Sequence, residues 1–139
     1  MKVLMDTNVI LDFFLSREPQ KEAAVKIFEQ IYQERIEAFT VASCITDIYY
    51  ITAKRFGDDK AREVLRNLLN ILGIIAVDGN DCTEALVLPI TDYEDALVTM
   101  CAQKEDVDYI ISSDKDFLRV NFQPVRVITA DDFLKILQC

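Results

Sequence analysis

Histidine is absent from this 139-residue sequence, and glycine and proline are scarce, with three of each. Without histidine, the cysteines cannot be completed to the mixed sites that often bind zinc. The scarcity of glycine and proline leaves no stretch with the composition of a linker, and the sequence shows no repeat or low-complexity segment. Residues 1–139 are therefore expected to form one domain that is large enough for a substantial core.

Long apolar runs are also missing. The longest ones, of which residues 71–77 are an example, fall far short of the roughly 20 apolar residues that cross a membrane. The N-terminus enters a β-like run directly and shows none of the charged, apolar and small-residue regions of a signal peptide. We therefore expect a cytoplasmic protein with no membrane association.

The cysteines include no Cys-x-x-Cys pair. Three of them, Cys44, Cys82 and Cys101, lie among apolar neighbours and are expected to be reduced residues in or near the core. Cys139 is terminal and is expected to be exposed. The cysteines thus predict neither a disulfide framework nor a zinc site.

Positive charge is in deficit, because the formal net charge is −9. An acidic chain repels nucleic acid overall, which argues against a general DNA-binding protein. Part of that charge can be local, since a carboxylate cluster holding two divalent ions would cancel about four negative charges where a substrate binds. The acidic surface also suits a basic protein partner.

Apolar spacing predicts strands that alternate with helices. The predicted strands are continuous apolar runs at residues 2–6, 37–42, 74–77, 109–112 and 125–128. The predicted helices lie at residues 8–15, 22–35, 45–56, 58–72, 80–88, 92–104, 114–118 and 130–137. Ser43 is expected to cap the third helix, and Thr91 or Asp92 the sixth. This alternation indicates an α/β fold whose parallel sheet is covered by helices on both faces.

Four aspartates lie beside apolar runs, where a carboxylate is costly to bury without a partner. Asp6 ends the first predicted strand and Asp114 follows the fourth, so both lie at the carboxyl edge of the sheet, where α/β folds bind ligands. Asp47 and Asp95 lie on predicted helices. Carboxylates share a pocket only with cations, and without histidine the simplest cation is a hard divalent metal ion. The pattern therefore indicates a Mg²⁺ or Mn²⁺ site and phosphate chemistry.

Each acidic residue also has a structural interpretation. The alternatives are a helix cap for Asp6, Thr7, Asp114 or Asp116, a solvated helix face for Asp47, a helix-dipole partner for Asp92, Glu94 or Asp95, and a structural role for Asp12. The dipole interpretation suits Asp92 and Glu94 better than Asp95, which lies deeper in its helix.

Small polar residues near these acids are candidates for orienting them or their waters. Thr7 and Asn8 follow Asp6 directly, and Ser43 lies four residues before Asp47, on the same helix face. Candidate phosphate contacts are the basic residues Lys54, Arg55, Lys115 and Arg119, of which the first two also suit a solvated helix end.

Two tyrosines lie beside Asp47. Tyr49 and Tyr50 have the chemistry to stack on bases. Packing in the core or in a dimer is the favoured interpretation of both.

The segments DTNVILD, SCITDIYYI, DYEDA and IISSDKDF, in this order, resemble the PIN domain family of metal-dependent ribonucleases over essentially the whole chain. The closest resemblance is to a bacterial branch with a D-x-E-D-A motif, which includes toxins of the VapC-like toxin–antitoxin type. The resemblance implies a three-layer α/β/α fold with a five-stranded parallel sheet of order 3-2-1-4-5. It also implies cleavage of RNA phosphodiester bonds with Mg²⁺ or Mn²⁺.

The resemblance further implies roles for individual residues. Asp6, Asp47, Asp95 and Asp114 match the four acids of the catalytic site. Asp6, Asp95 and Asp114 match metal ligands, and Asp116 matches a further acid that supports the metal site. The small polar residues that hold waters or ligands are matched by Thr7, Asn8 and Ser112. Many members carry Glu where this chain has Asp47. Asp is one methylene shorter, so Asp47 is expected to reach the metal only through water or only after a helix shift. Members often form homodimers, and an antitoxin peptide holds the toxins inactive.

Two rival interpretations remain. A catalytically weak or inactive member that binds RNA or protein is favoured by Asp47 and by the acidic charge. A receiver-type signalling domain would need an aspartate that ends the third strand and a lysine after the fifth. Residues 77–78 read Val-Asp at the end of the third strand, but residues 129–131, after the fifth, read Thr-Ala-Asp, which argues against a receiver.

Overall fold

Five parallel strands form one sheet at the centre of residues 1–138, the part of the chain that a computed structural model describes. The strands are β1 (Lys2–Met5), β2 (Glu37–Val41), β3 (Gly73–Ile75), β4 (Tyr109–Ile111) and β5 (Arg126–Ile128). Their order is β3-β2-β1-β4-β5, so the predicted order 3-2-1-4-5 is confirmed. The central strand β1 pairs with two neighbours, and its Leu4 lies opposite Phe39 on one side and Ile110 on the other.

Helices cover both faces of the sheet, as the alternating pattern predicted. They are α1 (Thr7–Phe14), α2 (Lys21–Tyr32), α3 (Ala42–Phe56), α4 (Asp58–Ile71), α5 (Gly79–Ala85), α6 (Tyr93–Lys104), α7 (Lys115–Leu118) and α8 (Ala130–Leu137). Alternate side chains of β1 enter different cores, because successive strand residues point to opposite faces. Val3 and Met5 enter a core with Phe28 of α2, whereas Leu4 enters a second core with Cys101 of α6.

Some predicted boundaries need correction. Helix α3 begins at Ala42, and Val41, still extended, occupies the cap position without a side-chain hydrogen bond. Ser43 therefore lies in the first turn and does not cap the helix, because β2 passes into α3 without a loop. Helix α2 ends at Tyr32, three residues before the predicted end, since Glu34 adopts the left-handed conformation at φ 57°.

The thiols of Cys44 and Cys101 are buried, that of Cys82 is half-buried, and all three are free. Cys139 lies outside the described residues, so its expected exposure stays a prediction. Within residues 1–138, no helix combines the length and apolar character needed to cross a membrane.

Candidate metal centre

Asp6 links the end of β1 to the start of α1. Its Oδ1 accepts a hydrogen bond from the Thr7 backbone N at 2.9 Å, so it caps the helix. Its Oδ2 accepts a hydrogen bond from Ser112 Oγ at 2.8 Å, and the side chain is buried. The cap and the metal-ligand interpretations are therefore compatible, because a carboxylate with both oxygens held has a fixed direction.

Ser112 connects Asp6 to the β4–α7 turn. Its Oγ also accepts a hydrogen bond from the Asp114 backbone N at 3.1 Å. Asp114 caps α7, with its Oδ1 accepting from the Asp116 backbone N at 2.9 Å. The cap of this short helix is thus Asp114, and the Asp116 side chain remains exposed.

Asp95 enters the same region from α6. It is the third residue of that helix, and its backbone N donates to Asp92 Oδ1 at 3.0 Å, which identifies Asp92 as the cap. Only 9% of Asp95 is exposed. The deeper position predicted for Asp95 relative to Asp92 is therefore what the structure shows.

Asp47 and Glu94 meet across the gap between α3 and α6, where their carboxyl groups hydrogen-bond to each other. Asp47 is half-buried, so a fully solvated helix face does not describe it. Glu94 was expected only to interact favourably with the helix dipole. It nevertheless lines the same cavity as Asp6, Asp47, Asp95 and Asp114. Its position directly before Asp95, in the segment DYED, is the sequence signal that could have identified it.

These side chains surround a cavity of about 330 Å³ at the carboxyl edge of the sheet. Among the described residues, its lining includes no lysine or arginine, and it consists of Asp6, Thr7, Asn8, Asp47, Tyr50, Ile51, Asp92, Glu94, Asp95 and Asp114. Six carboxyl groups therefore face one small space without a basic side chain among them.

The crowding of carboxyl groups raises their pKa values. Burial, and then the charges of Asp92 and Asp6, raise the pKa of Asp95 to about 7. The hydrogen bond with Asp47, and then burial, raise the pKa of Glu94 to about 7. Burial also raises the pKa of Asp6, against the hydrogen bonds from Ser112 and Thr7. In each case the charged form lacks a stabilising cation.

The remaining buried aspartates in the described part of the chain differ from those of the cavity, because each pairs with a basic side chain. Asp12 accepts from Arg17 Nε at 2.9 Å, and Asp81 pairs with Lys104 Nζ at 2.5 Å. The hydrogen bond from Lys104 lowers the pKa of Asp81. The ion pair of Asp12 agrees with its expected structural role. Buried acids elsewhere in this fold thus have a basic partner from the chain, and those of the cavity do not.

The donor set of the cavity fits Mg²⁺ or Mn²⁺, which prefer carboxylate oxygens and several waters. An ion of this kind would supply the positive charge that Asp6 and Asp95 lack. In residues 1–138, no three acidic or cysteine side chains are arranged as a finished metal site. The cavity therefore has the chemistry of such a site, and its acids lie around the space rather than converging on one point.

The structure places the other candidate residues in different surroundings. Thr7 and Asn8 line the cavity, whereas Ser43 does not, and Ser43 Oγ is buried without a hydrogen-bond partner among the described residues. Lys54 and Arg55 lie in the last turn of α3, away from the lining, and Arg55 stacks over the Phe56 ring at 5.2 Å.

Lys115 and Arg119, close in sequence, line different cavities. Lys115 lines a cavity bounded by α1, α2 and the start of α8, not the one with the carboxyl groups. Arg119 lines a cleft of about 640 Å³ that shares Asp92, Asp95 and Asp114 with the acidic cavity. Arg119 is therefore the better placed of the two to meet a molecule that extends out of the acidic cavity.

Comparison with known proteins identifies relatives over nearly the whole chain. A family model described as PIN domain matches residues 2–116. Ribonuclease VapC1 of Aquifex aeolicus (strain VF5) is 29% identical over 137 residues, covering 95% of this chain and 92% of that protein.

Solved structures with the same fold include bacterial VapC and VapBC proteins. VapC20 of Mycobacterium tuberculosis, described as a sarcin-ricin loop cleaving toxin, has a TM-score of 0.68 at 15% identity, over 89% of this chain and 98% of that one. DNA-bound VapBC from Salmonella typhimurium has a TM-score of 0.69 at 14% identity, over 94% of this chain and 98% of that one. At these identities the likeness concerns the fold.

Proposed function

Because this chain belongs to the PIN domain family, we propose that it is an endoribonuclease that depends on Mg²⁺ or Mn²⁺. It would hydrolyse phosphodiester bonds of single-stranded or structured RNA, as the toxin of a toxin–antitoxin pair. The observation that carries the proposal is the cavity in which six carboxyl groups meet without a basic side chain from the described residues. The ribonuclease relative, and neighbours named as VapC toxins, support the same class of activity.

Asp6, Asp95 and Asp114 would hold the ion, with Asp47 beside them and Asp116 acting from the adjoining cleft. A bound divalent ion supplies Lewis-acid stabilisation of the phosphate charge and lowers the pKa of water. The chain's own contribution is position. Ser112 and the Thr7 backbone hold both oxygens of Asp6 in place, and the Ser112 hydroxyl ties that carboxylate to the turn that carries Asp114.

The substrate strand would cross the cavity and enter the adjoining cleft. Arg119 would meet a flanking phosphate there, because it is exposed, lines the cleft and forms no ion pair within residues 1–138. Tyr50 lies on the lining of the acidic cavity and is 71% exposed, which suits stacking on a base. We therefore propose Arg119 in place of Lys115 as the phosphate contact nearest the site, and keep Lys54 and Arg55 as more distant ones.

Protein partners follow from the same cavity. A basic side chain of an antitoxin would pair with the acidic cavity and compete with the metal ion. Structural neighbours described as VapBC complexes support an antitoxin as the partner. A homodimer and a cytoplasmic location, where RNA is available, complete the proposal.

A catalytically weak member that binds RNA or protein is the second candidate. Two observations favour it: Asp47 has a short side chain, and no three acids in the described chain form a finished metal site. Such a protein would bind RNA or a basic partner without cutting.

The test is cleavage of RNA by the purified protein with Mn²⁺ or Mg²⁺, and again with EDTA. Asp6→Asn and Asp95→Asn should each lower cleavage by at least about 100-fold, as expected for loss of a metal ligand. Asp132→Asn is the control, since Asp132 lies on α8 and pairs with Lys135. Cleavage that persists in Asp6→Asn would refute this site, and wild-type RNA binding without cleavage would favour the second candidate.

A further inference from the structure

The contact between Asp47 and Glu94 joins two helices that line the acidic cavity. Asp47 lies on α3 and Glu94 is the second residue of α6. The two carboxyl groups hydrogen-bond to each other, and both side chains line the cavity. Asp6 and Asp114 come from the edge of the sheet, after β1 and β4. The acids of the cavity thus form two groups, one from the sheet edge and one from the two helices.

A direct contact between two carboxyl groups is unusual unless something positive binds them both. Carboxyl oxygens in such a hydrogen bond are about 2.5–2.7 Å apart. Two neighbouring oxygens on an octahedral Mg²⁺ ion, each about 2.1 Å from it, are about 3 Å apart. Two carboxyl groups in hydrogen-bonding contact are therefore near enough to bind one ion together.

Asp95 provides independent evidence that the space between these groups takes a ligand. It is 9% exposed and lines the cavity. Its hydrogen bonds with described residues are made by its backbone, from N to Asp92 and from Thr99 Oγ1 to O. The residue is thus almost fully buried, and its carboxylate lines the cavity without a donor in the described chain, which is costly unless a cation is present.

We propose that Glu94 is a metal-binding residue and acts with Asp47 as a paired ligand that closes the site from the helix side. Asp47 has one methylene and lies against Glu94, which limits how far its carboxylate extends. Glu94 is longer by one methylene and adds the missing carboxylate. This inference rests on the proposed function, because it concerns the same metal site.

The test is Mn²⁺ binding measured by isothermal titration calorimetry with purified protein at pH 8. Glu94→Gln should weaken Mn²⁺ binding by about 10- to 100-fold relative to wild type. Its amide still donates a hydrogen bond to Asp47, so the fold should be retained, as a thermal melt in EDTA would check. The control is Glu84→Gln, an exposed glutamate on α5 outside the lining of the cavity.

A compensating variant separates a ligand from a structural residue. Asp47→Glu placed in the Glu94→Gln protein should restore at least tenfold in Mn²⁺ affinity, because the longer side chain supplies from α3 the reach that α6 has lost. A merely structural role for Glu94 would not be repaired by a longer acid on the other helix.

The outcomes distinguish this inference from the proposed function. If the wild-type protein binds no Mn²⁺, the proposed function fails and the inference fails with it. If the wild type binds Mn²⁺ and Glu94→Gln binds it as well as Glu84→Gln does, the proposed function stands and Glu94 is not a ligand. A loss in Glu94→Gln that Asp47→Glu leaves uncorrected also overturns the pairing.

Discussion

Replacing Asp95 by asparagine should stabilise the metal-free protein while it removes the proposed activity. The side chain is almost isosteric, so packing is kept and one buried negative charge is removed. Burial, and then the neighbouring carboxylates of Asp92 and Asp6, oppose that charge in the wild type. The amide of asparagine can instead donate a hydrogen bond to one of them. Residues selected to bind a metal are therefore expected to lower stability when the metal is absent.

The magnitude follows from the pKa of Asp95, which is about 7 against an ordinary 3.8. A difference of about three in pKa corresponds to about 4 kcal/mol between the two protonation states. Solvent at the cavity mouth screens part of this energy, so we take about half of it, or about 2 kcal/mol. Loss of a favourable helix-dipole interaction removes about 0.5 kcal/mol. The net gain of about 1.5 kcal/mol should raise Tm by about 5 °C.

The gain should depend on pH. The folded-state pKa of Asp95 lies above the unfolded one, so the wild type loses stability as pH rises from about 4 to about 7. The advantage of Asp95→Asn should therefore be complete at pH 8 and smaller at pH 5. Calorimetric melts in EDTA at both pH values measure it.

Asp81→Asn is the matched control, because Asp81 is also a buried aspartate in the first turn of a helix but pairs with Lys104. It should destabilise the protein at pH 8, since the hydrogen bond from Lys104 lowers the pKa of Asp81 and thus stabilises its charged form. The reasoning is refuted if Asp95→Asn is no more stable than wild type at pH 8, or if its effect is the same at pH 5.

Three further predictions concern the substrate cleft, the sheet and the support of the site. Arg119→Gln should raise KM for RNA cleavage about tenfold with kcat little changed, whereas Lys115→Gln should leave both constants unchanged. Equal effects of the two substitutions on KM would contradict the proposed path of the RNA strand. Gly73→Ala should lower stability by about 1–2 kcal/mol in urea melts, because the new Cβ would lie 2.7 Å from Phe39 Cδ1; an unchanged midpoint would mean that the ring moves freely. Ser112→Ala should lower stability by about 2 kcal/mol in urea melts and should weaken Mn²⁺ binding. Mn²⁺ binding that stays at wild-type strength would show that the hydroxyl does not position the site.

Much of the fold follows from short-range patterns in the chain. Continuous apolar runs such as that of β1 predict buried parallel strands, because a strand covered on both faces has no polar side. The strand order followed from resemblance to the PIN domain family rather than from these runs. Asp6 and Asp114 follow two of the strands, and parallel strands end at one edge of the sheet. Their proximity is thus a consequence of topology and needs no knowledge of side-chain direction.

Patterns along the chain are thus sufficient to predict a parallel sheet, its alternating layers and the acids of the sheet edge. The packing of the helices sets which side chains line the cavities: Glu94 meets Asp47, and Arg119 rather than Lys115 lines the adjoining cleft. Strand ends are constrained by the ladder of backbone hydrogen bonds, whereas side chains on helices are placed by the rotation of each helix about its axis. That rotation is set by packing against the two cores, and a turn of a few tens of degrees moves a carboxylate by several Å.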